Sequence, residues 1–247
     1  MENSKEELSS PITKQEISQL PESVQTWLNA AGVIGKPRIQ SVFMKQNYQI
    51  KLKPEQKDWY TTIAEQYSTI SPPAFVWKAE IEMMPAISAF GRDKFIEGNG
   101  EMVFKLFSVF SVANDGPNPQ INEAALQRFL GEIVWYPTAA LHDDITWKEL
   151  GDHSAKATLT LGGLSGSGIF SFGKDGHVRS FSALRYQGSG PEAKKSEWTV
   201  NVTSTKEFDG IKVPASGEVT WKLDSGDWTW AKFEIVACNI NPKKSGY

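Results

Sequence analysis

The sequence predicts a mainly antiparallel β fold with a few helices, of the α+β class. Its second half is a series of short runs in which apolar and polar residues alternate, each ended by a glycine-bearing turn. Residues two apart in a strand share a face, so this alternation indicates strands with one buried side. Asp-Gly between two runs, as at Asp175-Gly176 and Asp209-Gly210, favours a hairpin because glycine adopts the positive φ that tight turns need. The predicted strands of this half are 155–161, 169–172, 178–186, 198–202, 219–223 and 228–240.

The chain begins with two predicted helical pieces. Thr13 and Glu16 have the spacing of a capping box, and Pro21 is typical of the first turn of a helix. Apolar residues then recur at helical intervals up to Gly32, where a helix would end. We therefore predict a short two-piece helix over 14–31 that packs on the sheet, with one face made by Val24, Trp27, Leu28 and Ala31.

Extended segments follow in the first half. Apolar residues at even spacing predict strands over 38–52 and 75–82, and two more, 94–97 and 101–107, flank the turn Gly98-Asn99-Gly100.

The clearest helix lies between the two β halves. Apolar residues fall at i, i+3, i+4, i+7 and i+8, Asn122 is the predicted N-cap, and Pro137 is the predicted end. No linker or change in composition separates the halves, so we predict one β-rich domain over 11–247 after a mobile segment 1–10. The predicted apolar stripe of the helix is Leu126, Phe129, Leu130, Ile133 and Val134.

Composition excludes several classes of protein. The chain has 247 residues, a net charge of -3, 40% hydrophobic residues and 22% charged residues, which are ordinary values for a globular domain. We expect no nucleic-acid partner, because phosphate binding needs clustered Lys and Arg. The single cysteine, Cys238, lies in an apolar run, which predicts a buried and unreactive thiol.

The sequence also bears on the compartment. The first residues lack the basic and apolar regions of a signal peptide, so we predict a cytoplasmic protein as the sequence is written. A periplasmic or membrane-attached location would follow if an upstream signal or anchor had been removed. The apolar stretch 102–113 is too short to span a bilayer, so we expect membrane contact at most.

Familiar catalytic and metal-binding motifs are missing from the sequence. The glycine-rich stretch 162–168 lacks the Lys-Ser/Thr of a phosphate loop and predicts a hairpin or bulge. The three histidines, His142, His153 and His177, match no familiar metal template. We therefore predict no catalytic residue, no metal and no cofactor.

Three charged residues lie among large apolar neighbours and are candidates for burial. Glu132 lies beside the apolar stripe of the helix, Arg92 is at a predicted strand start, and Arg185 precedes Tyr186 in a predicted strand. A buried carboxylate needs a cationic or hydrogen-bonding partner. We predict an ion pair that joins Glu132 to Arg92 or Arg185. It would brace the helix over the sheet, recognise a ligand, or support acid/base chemistry.

Several stretches resemble a bacterial family of unknown function over most of residues 20–240. The stretches are 20–28, 64–67, 72–77, 91–93, 132–139 and 217–219. The order of elements is also similar to lipoprotein-carrier-like (LolA-like) folds. That resemblance implies a strongly curved sheet or incomplete barrel, with helices covering the concave face.

The leading functional expectation is noncatalytic binding of a hydrophobic or lipid-like small molecule in a cavity of the curved sheet. Two alternatives stay open: a cofactor-independent enzyme that uses Glu132 as acid or base, and a membrane or protein interaction module that uses the stretch 102–113. The candidate ligand-binding residues are Trp77, Arg92, Phe104, Phe107, Glu132, Trp135, Arg185 and Trp221.

Overall fold

The computed structural model describes residues 10–85, 87–106, 110–151 and 153–243, without the side chains of 106 and 110–115. The predicted mobile segment 1–10 lies outside these residues except for Ser10, and so does the candidate residue Phe107.

The described residues form three α-helices and thirteen strands. The helices are α1 (Lys14–Ile17), α2 (Glu22–Ala31) and α3 (Pro119–Glu132), and α3 is followed by the 3-10 turns Ile133–Trp135 and Pro137–Leu141. The strands are β1 (Ser41–Ile50), β2 (Tyr60–Thr69), β3 (Ala74–Met84), β4 (Ile87–Ile96), β5 (Asn99–Leu106), β6 (Phe110–Asp115), β7 (Ile145–Gly151), β8 (Ser154–Leu161), β9 (Leu164–Phe172), β10 (Val178–Tyr186), β11 (Lys195–Phe208), β12 (Ile211–Leu223) and β13 (Gly226–Ile240).

All thirteen strands belong to one antiparallel sheet, which confirms the predicted fold class. The order is β6-β5-β4-β3-β2-β1-β13-β12-β11-β10-β9-β8-β7. Each half is a meander, and the halves join where β1 pairs with β13, from Val42↔Ile240 to Ile50↔Ala231. Strands β6 and β7 are the two edges, so the sheet is not closed.

The sheet curls around α3. This helix contacts β4 and β5 of one half and β8, β9 and β10 of the other. Seven strands, β4, β3, β2, β1, β13, β12 and β11, separate β5 from β10. On a flat sheet that separation would be roughly 38 Å at about 4.8 Å per strand, whereas a helix is only about 10 Å wide. One helix can touch both arms only because the sheet is strongly curved, as expected.

The entry helices confirm the two-piece prediction. Thr13 and Glu16 form a complete capping box at α1, and α2 ends at Gly32 in the left-handed conformation with φ 78°. The predicted apolar face of α2 is buried and packs against β7, β8 and β12. No described helix is long and apolar enough to cross a membrane.

Helix α3 differs from its prediction at both ends. Its N-cap is Asn118, whose side chain accepts hydrogen bonds from the backbone N–H groups of Gln120 and Ile121. Asn122 lies inside the helix, and its Oδ1 accepts a bond from the backbone of Gly100, so it ties α3 to β5. The α-helix stops at Glu132, and the predicted continuation to Pro137 is a 3-10 turn. The predicted apolar stripe itself is buried.

The glycine-rich stretch 162–168 divides into two parts with different roles. Gly162 and Gly163 make the turn between β8 and β9 with positive φ, which confirms the hairpin. Gly166 lies within β9 and faces α3, where a Cβ would lie 2.8 Å from Cγ of Gln127, so it permits a close approach of helix and sheet. Gly168, also within β9, leaves room for the ring of Phe181 on β10.

Candidate functional site

A partly buried arginine, Arg128, lies between two carboxylates where α3 crosses the sheet. Helix α3 supplies Arg128 and Glu132, which are one turn apart, and β4 supplies Asp93. Nε of Arg128 lies 2.7 Å from Oε1 of Glu132, and Nη1 lies 2.5 Å from Oδ2 of Asp93. The guanidinium therefore joins the helix to the first arm of the sheet.

Gln66 of β2 closes this cluster. Its Oε1 accepts from Nη2 of Arg128 at 3.1 Å, and its Nε2 donates to Oε2 of Glu132 at 2.5 Å. The same Nε2 lies 3.1 Å from Oγ of Ser68. Both carboxylate oxygens of Glu132 are thus occupied, as a structural brace requires. We call Gln66, Asp93, Arg128 and Glu132 the interior charge cluster.

Burial decides the protonation behaviour of the interior charge cluster. It raises the pKa of Glu132 and of Asp93, and the nearby charge of Arg128 only partly offsets this. Burial by itself lowers the pKa of Arg128, but Glu132 and Asp93 outweigh it, so that pKa is raised and the guanidinium stays charged. The two carboxylates therefore share Arg128 as their directly bonded cation, and Arg185 interacts with Asp93 and Glu132 only through space.

Aromatic rings line the guanidinium of Arg128 on its sheet side. It lies 4.7 Å from the ring centre of Phe75 and 5.4 Å from that of Trp77. Nε1 of Trp77 donates to Oε1 of Gln46 at 3.1 Å, and Nε2 of Gln46 is buried without a partner among the described residues.

Arg185 of β10 is the second buried arginine, and its surroundings differ. Its Nε and Nη2 donate to the backbone carbonyl of Ala124 in α3, at 3.2 and 2.8 Å. The guanidinium lies 4.3 Å from the ring centre of Trp198 and 5.8 Å from that of Trp221. Among the described residues it has no carboxylate at ion-pair distance. Burial lowers the pKa of Arg185 to about 10.

The inward side chains near the two arginines border space that solvent reaches. Six of them keep between 6% and 9% of their surface accessible, whereas Phe75, Phe95 and Phe129 deeper in the core keep 1% or less. The difference separates the packed core from inward positions that solvent still reaches. The six are Trp77, Asp93, Glu132, Arg185, Trp198 and Trp221.

The prediction that Glu132 pairs with Arg92 or Arg185 is wrong. Glu132 pairs with Arg128, because the i, i+4 spacing on α3 places the two side chains on one helix face. Arg92 is exposed and pairs with Glu101 on the neighbouring strand β5, so it lies away from the interior. Arg185 faces the interior but bonds a backbone carbonyl instead of Glu132.

The remaining candidate residues are mostly inward. Trp135 is buried, donates its Nε1 to the carbonyl of Pro214 and meets Phe233 edge-on at 5.7 Å. Phe104 is half-buried against the core, next to Gly91. Trp77 and Trp221 lie in the interior region described above.

Arg128, Asp93 and Gln66 are not among the site residues predicted from the sequence. Signals for two of them existed: Arg128 is four residues before Glu132 on the strongest helix, and Asp93 alternates with exposed Arg92, which places it on the buried face of β4. Gln66 carries no such signal, because alternation does not distinguish a buried amide from an exposed one.

A second feature is an opening in the sheet between β9 and β10. Their ladder runs from Phe172↔Val178 to Ile169↔Ser182 and stops. Nε2 of Gln127 on α3 donates to the carbonyls of Ser167, at 3.2 Å, and Leu184, at 3.0 Å. Continuation of the register would pair these two residues, so the Gln127 amide takes the place of their direct bonds. A surface cleft of about 510 Å³ lies over this opening.

Among the described residues, no group of three or more His, Cys, Asp or Glu side chains is placed to hold a metal ion.

Comparison with known proteins places the chain in a family. Residues 18–239 match the model described as "Family of unknown function (DUF6920)", which covers most of the sequence. No curated protein matches the sequence. The chain belongs to this family of unknown function, DUF6920.

Proposed function

We propose that this protein binds a hydrophobic or lipid-like small molecule in the interior of its curved sheet. The ligand would lie between α3 and the inward faces of β3, β4 and β10 to β13. One observation carries the proposal: inward aromatic and charged side chains around the two arginines keep accessible surface, although they point away from the outer face of the sheet.

The aromatic content of this region supports the proposal. Trp198, Trp221 and Trp228 are cross-strand partners on β11, β12 and β13, so their indoles form a row on the inner face. Aromatic rings are suitable walls for an apolar ligand.

The architecture also supports it. A curved, unclosed sheet with a helix on its concave face is the arrangement that the resemblance to lipoprotein-carrier-like folds implies. We include this carrier-like class in the proposal as an analogy of fold, since function depends on the site itself.

The contacts of Glu132 favour binding over the alternative of acid/base chemistry. A general acid or base must offer an oxygen to the substrate. Both oxygens of Glu132 accept bonds, from Arg128 and from Gln66. For the alternative of an interaction module, the side chains of 107–115 lie outside the described residues.

A titration with Nile red, an uncharged hydrophobic dye, tests the proposal. We expect dye fluorescence to rise on binding and Trp emission to be quenched, because the rings would line the site. Val219→Phe adds bulk on the inner face of β12 next to Trp221 and should weaken binding about tenfold.

The matched control is Val236→Phe, which makes the same change at a residue that is 54% exposed. It should leave dye affinity unchanged. The proposal is wrong if the dye does not bind to the folded protein, or if the two phenylalanine variants bind it equally well. Native mass spectrometry of gently purified protein gives a second measurement, the mass of any ligand retained.

A further inference from the structure

We infer that the ligand of this interior site carries an anionic head, and that Arg185 binds it. This inference rests on the proposed function and names the chemistry of one end of the ligand. The class is an amphiphilic anion, with a carboxylate or phosphate at the end of an apolar chain.

Arg185 has N–H donors that no acceptor among the described residues fills. A guanidinium has five N–H donors. Two of them, on Nε and Nη2, point to the single carbonyl of Ala124. Among the described residues, the other three have no acceptor, although Arg185 is 9% exposed. Among the described residues, no atom of Arg185 is both buried and unpartnered, so its unfilled donors face accessible space, where an anion would supply both charge and acceptors.

The carboxylates nearest to Arg185 already form ion pairs with Arg128. Asp93 and Glu132 influence the charge of Arg185 through space, but each bonds directly to Arg128. The interior charge cluster therefore leaves Arg185 without an ion-pair partner of its own. In a site built only for stability, we would expect a carboxylate beside it.

Most of the other unpartnered groups in this region are hydrogen-bond donors. Beside Arg185, the indole of Trp198 lies under the guanidinium and its Nε1 has no acceptor. Nε1 of Trp228 and of Trp230, and Nε2 of Gln46, are likewise donors without partners. An indole N–H can only donate. Among the described residues, the buried side-chain atoms without a partner are these four donors, the hydroxyl of Thr62 and one acceptor, Oε1 of Gln127. Donors therefore predominate.

The position of Arg185 sets the orientation of the ligand. Arg185 is the penultimate residue of β10, Trp198 lies near the start of β11, and Trp221 lies near the end of β12. These positions share the end of the sheet that holds the β10–β11 and β12–β13 connections. The head would therefore lie near that end, and the chain would extend along Trp221, Phe233 and Trp135.

The test compares ligands with the same chain and different heads. Dodecanoate, dodecyl phosphate, dodecanol and dodecyltrimethylammonium are titrated below their micelle concentrations at pH 8, with displacement of Nile red as the measurement. We expect at least one of the two anions to bind about tenfold or more tightly than the alcohol, and the cation to bind most weakly. Dodecanoate against dodecyl phosphate distinguishes the two head groups.

Variants assign the effect to Arg185. Arg185→Gln should remove the preference for anions and leave the affinity for dodecanol nearly unchanged. Arg92→Gln removes an exposed arginine that pairs with Glu101, and it should keep the full preference. If Arg185→Gln does not fold, Arg185→Lys is used instead, and it should retain a preference for anions over dodecanol.

The outcomes separate this inference from the proposed function. Nile red binding with equal affinity for dodecanol and both anions would overturn the anionic head and leave the hydrophobic site intact. An anion preference that survives in Arg185→Gln would overturn the assignment to Arg185. If neither Nile red nor any of the four ligands binds, the proposed function fails and this inference fails with it.

Discussion

Arg128 and Glu132 form a partly buried ion pair within one turn of α3, with 2.7 Å between Nε and Oε1. The pair is not only a helix contact, because the same guanidinium reaches Asp93 on β4 and Gln66 on β2. The helix and the first arm of the sheet are therefore held by one cation, and its removal should affect the whole arrangement.

Arg128→Met should be strongly destabilising. The substitution keeps much of the side-chain length but leaves Asp93 and Glu132 buried without their cation, which typically costs about 3–5 kcal/mol. The measurement is the free energy of unfolding from urea titration at neutral pH. Adding Asp93→Asn and Glu132→Gln should recover part of the loss, since the uncompensated charges are then removed.

The control for this prediction is Arg92→Met. Arg92 pairs with Glu101 at the surface, where an ion pair contributes about 0–1 kcal/mol. Equal losses for the two arginine variants would contradict a structural role of the interior charge cluster.

The unfolding free energy of Glu132→Gln, relative to that of the wild type, should increase as the pH rises. Burial raises the pKa of Glu132 above its ordinary value of 4.5. At pH values between the unfolded and the folded pKa, the folded protein therefore holds a proton that the unfolded chain has released. The stability from this group is present below the unfolded pKa and is lost as the pH rises through the folded pKa. Glutamine has no such dependence, so the difference in unfolding free energy between variant and wild type should grow in the variant's favour.

The control for the pH series is Glu101→Gln, for which the sign is opposite. A hydrogen bond from Lys94 lowers the pKa of Glu101. Its contribution is present above the unfolded pKa and is lost as the pH falls through the folded pKa. Urea titrations at several pH values should show opposite slopes for the two variants, and parallel slopes would count against a raised pKa of Glu132.

Gln127→Leu should destabilise the region where β9 and β10 separate. The carbonyls of Ser167 and Leu184 would lose their shared donor, and an unsatisfied buried polar group costs about 1–3 kcal/mol. We expect a lower unfolding free energy and faster hydrogen exchange at the amides of 164–168 and 183–186. Gln49→Leu, at an exposed position of β1, is the control and should change neither. Unchanged exchange in Gln127→Leu would show that the amide does not hold this opening.

Gly168→Ala should lower the stability of the protein because the new Cβ would collide with the ring of Phe181. A Cβ at this position would lie 2.2 Å from Cζ of Phe181 and 3.0 Å from the carbonyl of Ser182, so the ring must move. Overpacking of this kind costs about 1–3 kcal/mol, measured by thermal or urea unfolding. Gly188→Ala has no atom within 4 Å of the new Cβ and should be nearly neutral. A smaller loss for Gly168→Ala in a Phe181→Leu background would identify the ring as the cause.

Local signals predicted the elements of this fold well. The period-two alternation and the Asp-Gly turns of the second half correspond to β8 to β13, and the apolar stripe from Leu126 to Val134 corresponds to α3 and the turn after it. The end of α3 was less predictable. Residues 133–135 keep the apolar pattern of a helix but form a 3-10 turn, and a pattern of apolar residues does not distinguish the two.

The candidate site was predictable only in part. The sequence placed Glu132, Arg185, Trp77, Trp135 and Trp221 near the interior, because alternation and helical spacing determine the face that a residue occupies. It did not identify the partner of Glu132. Both arginines proposed for that role were distant in the sequence, whereas the partner is on the same helix.

The sequence by itself determined most of the strands, their antiparallel connections and the buried face of α3, since these follow from spacing within short segments. It did not predict β2, β6 or β7. Only the tertiary structure decided which charges meet. Gln66 and Asp93 are 62 and 35 residues from Arg128, and they reach it because the sheet curls around the helix. The pKa values of Asp93 and Glu132 are raised because residues distant in the sequence remove water from around them, which no local pattern encodes. The tertiary structure likewise places Arg185 against the carbonyl of Ala124 and not against a carboxylate.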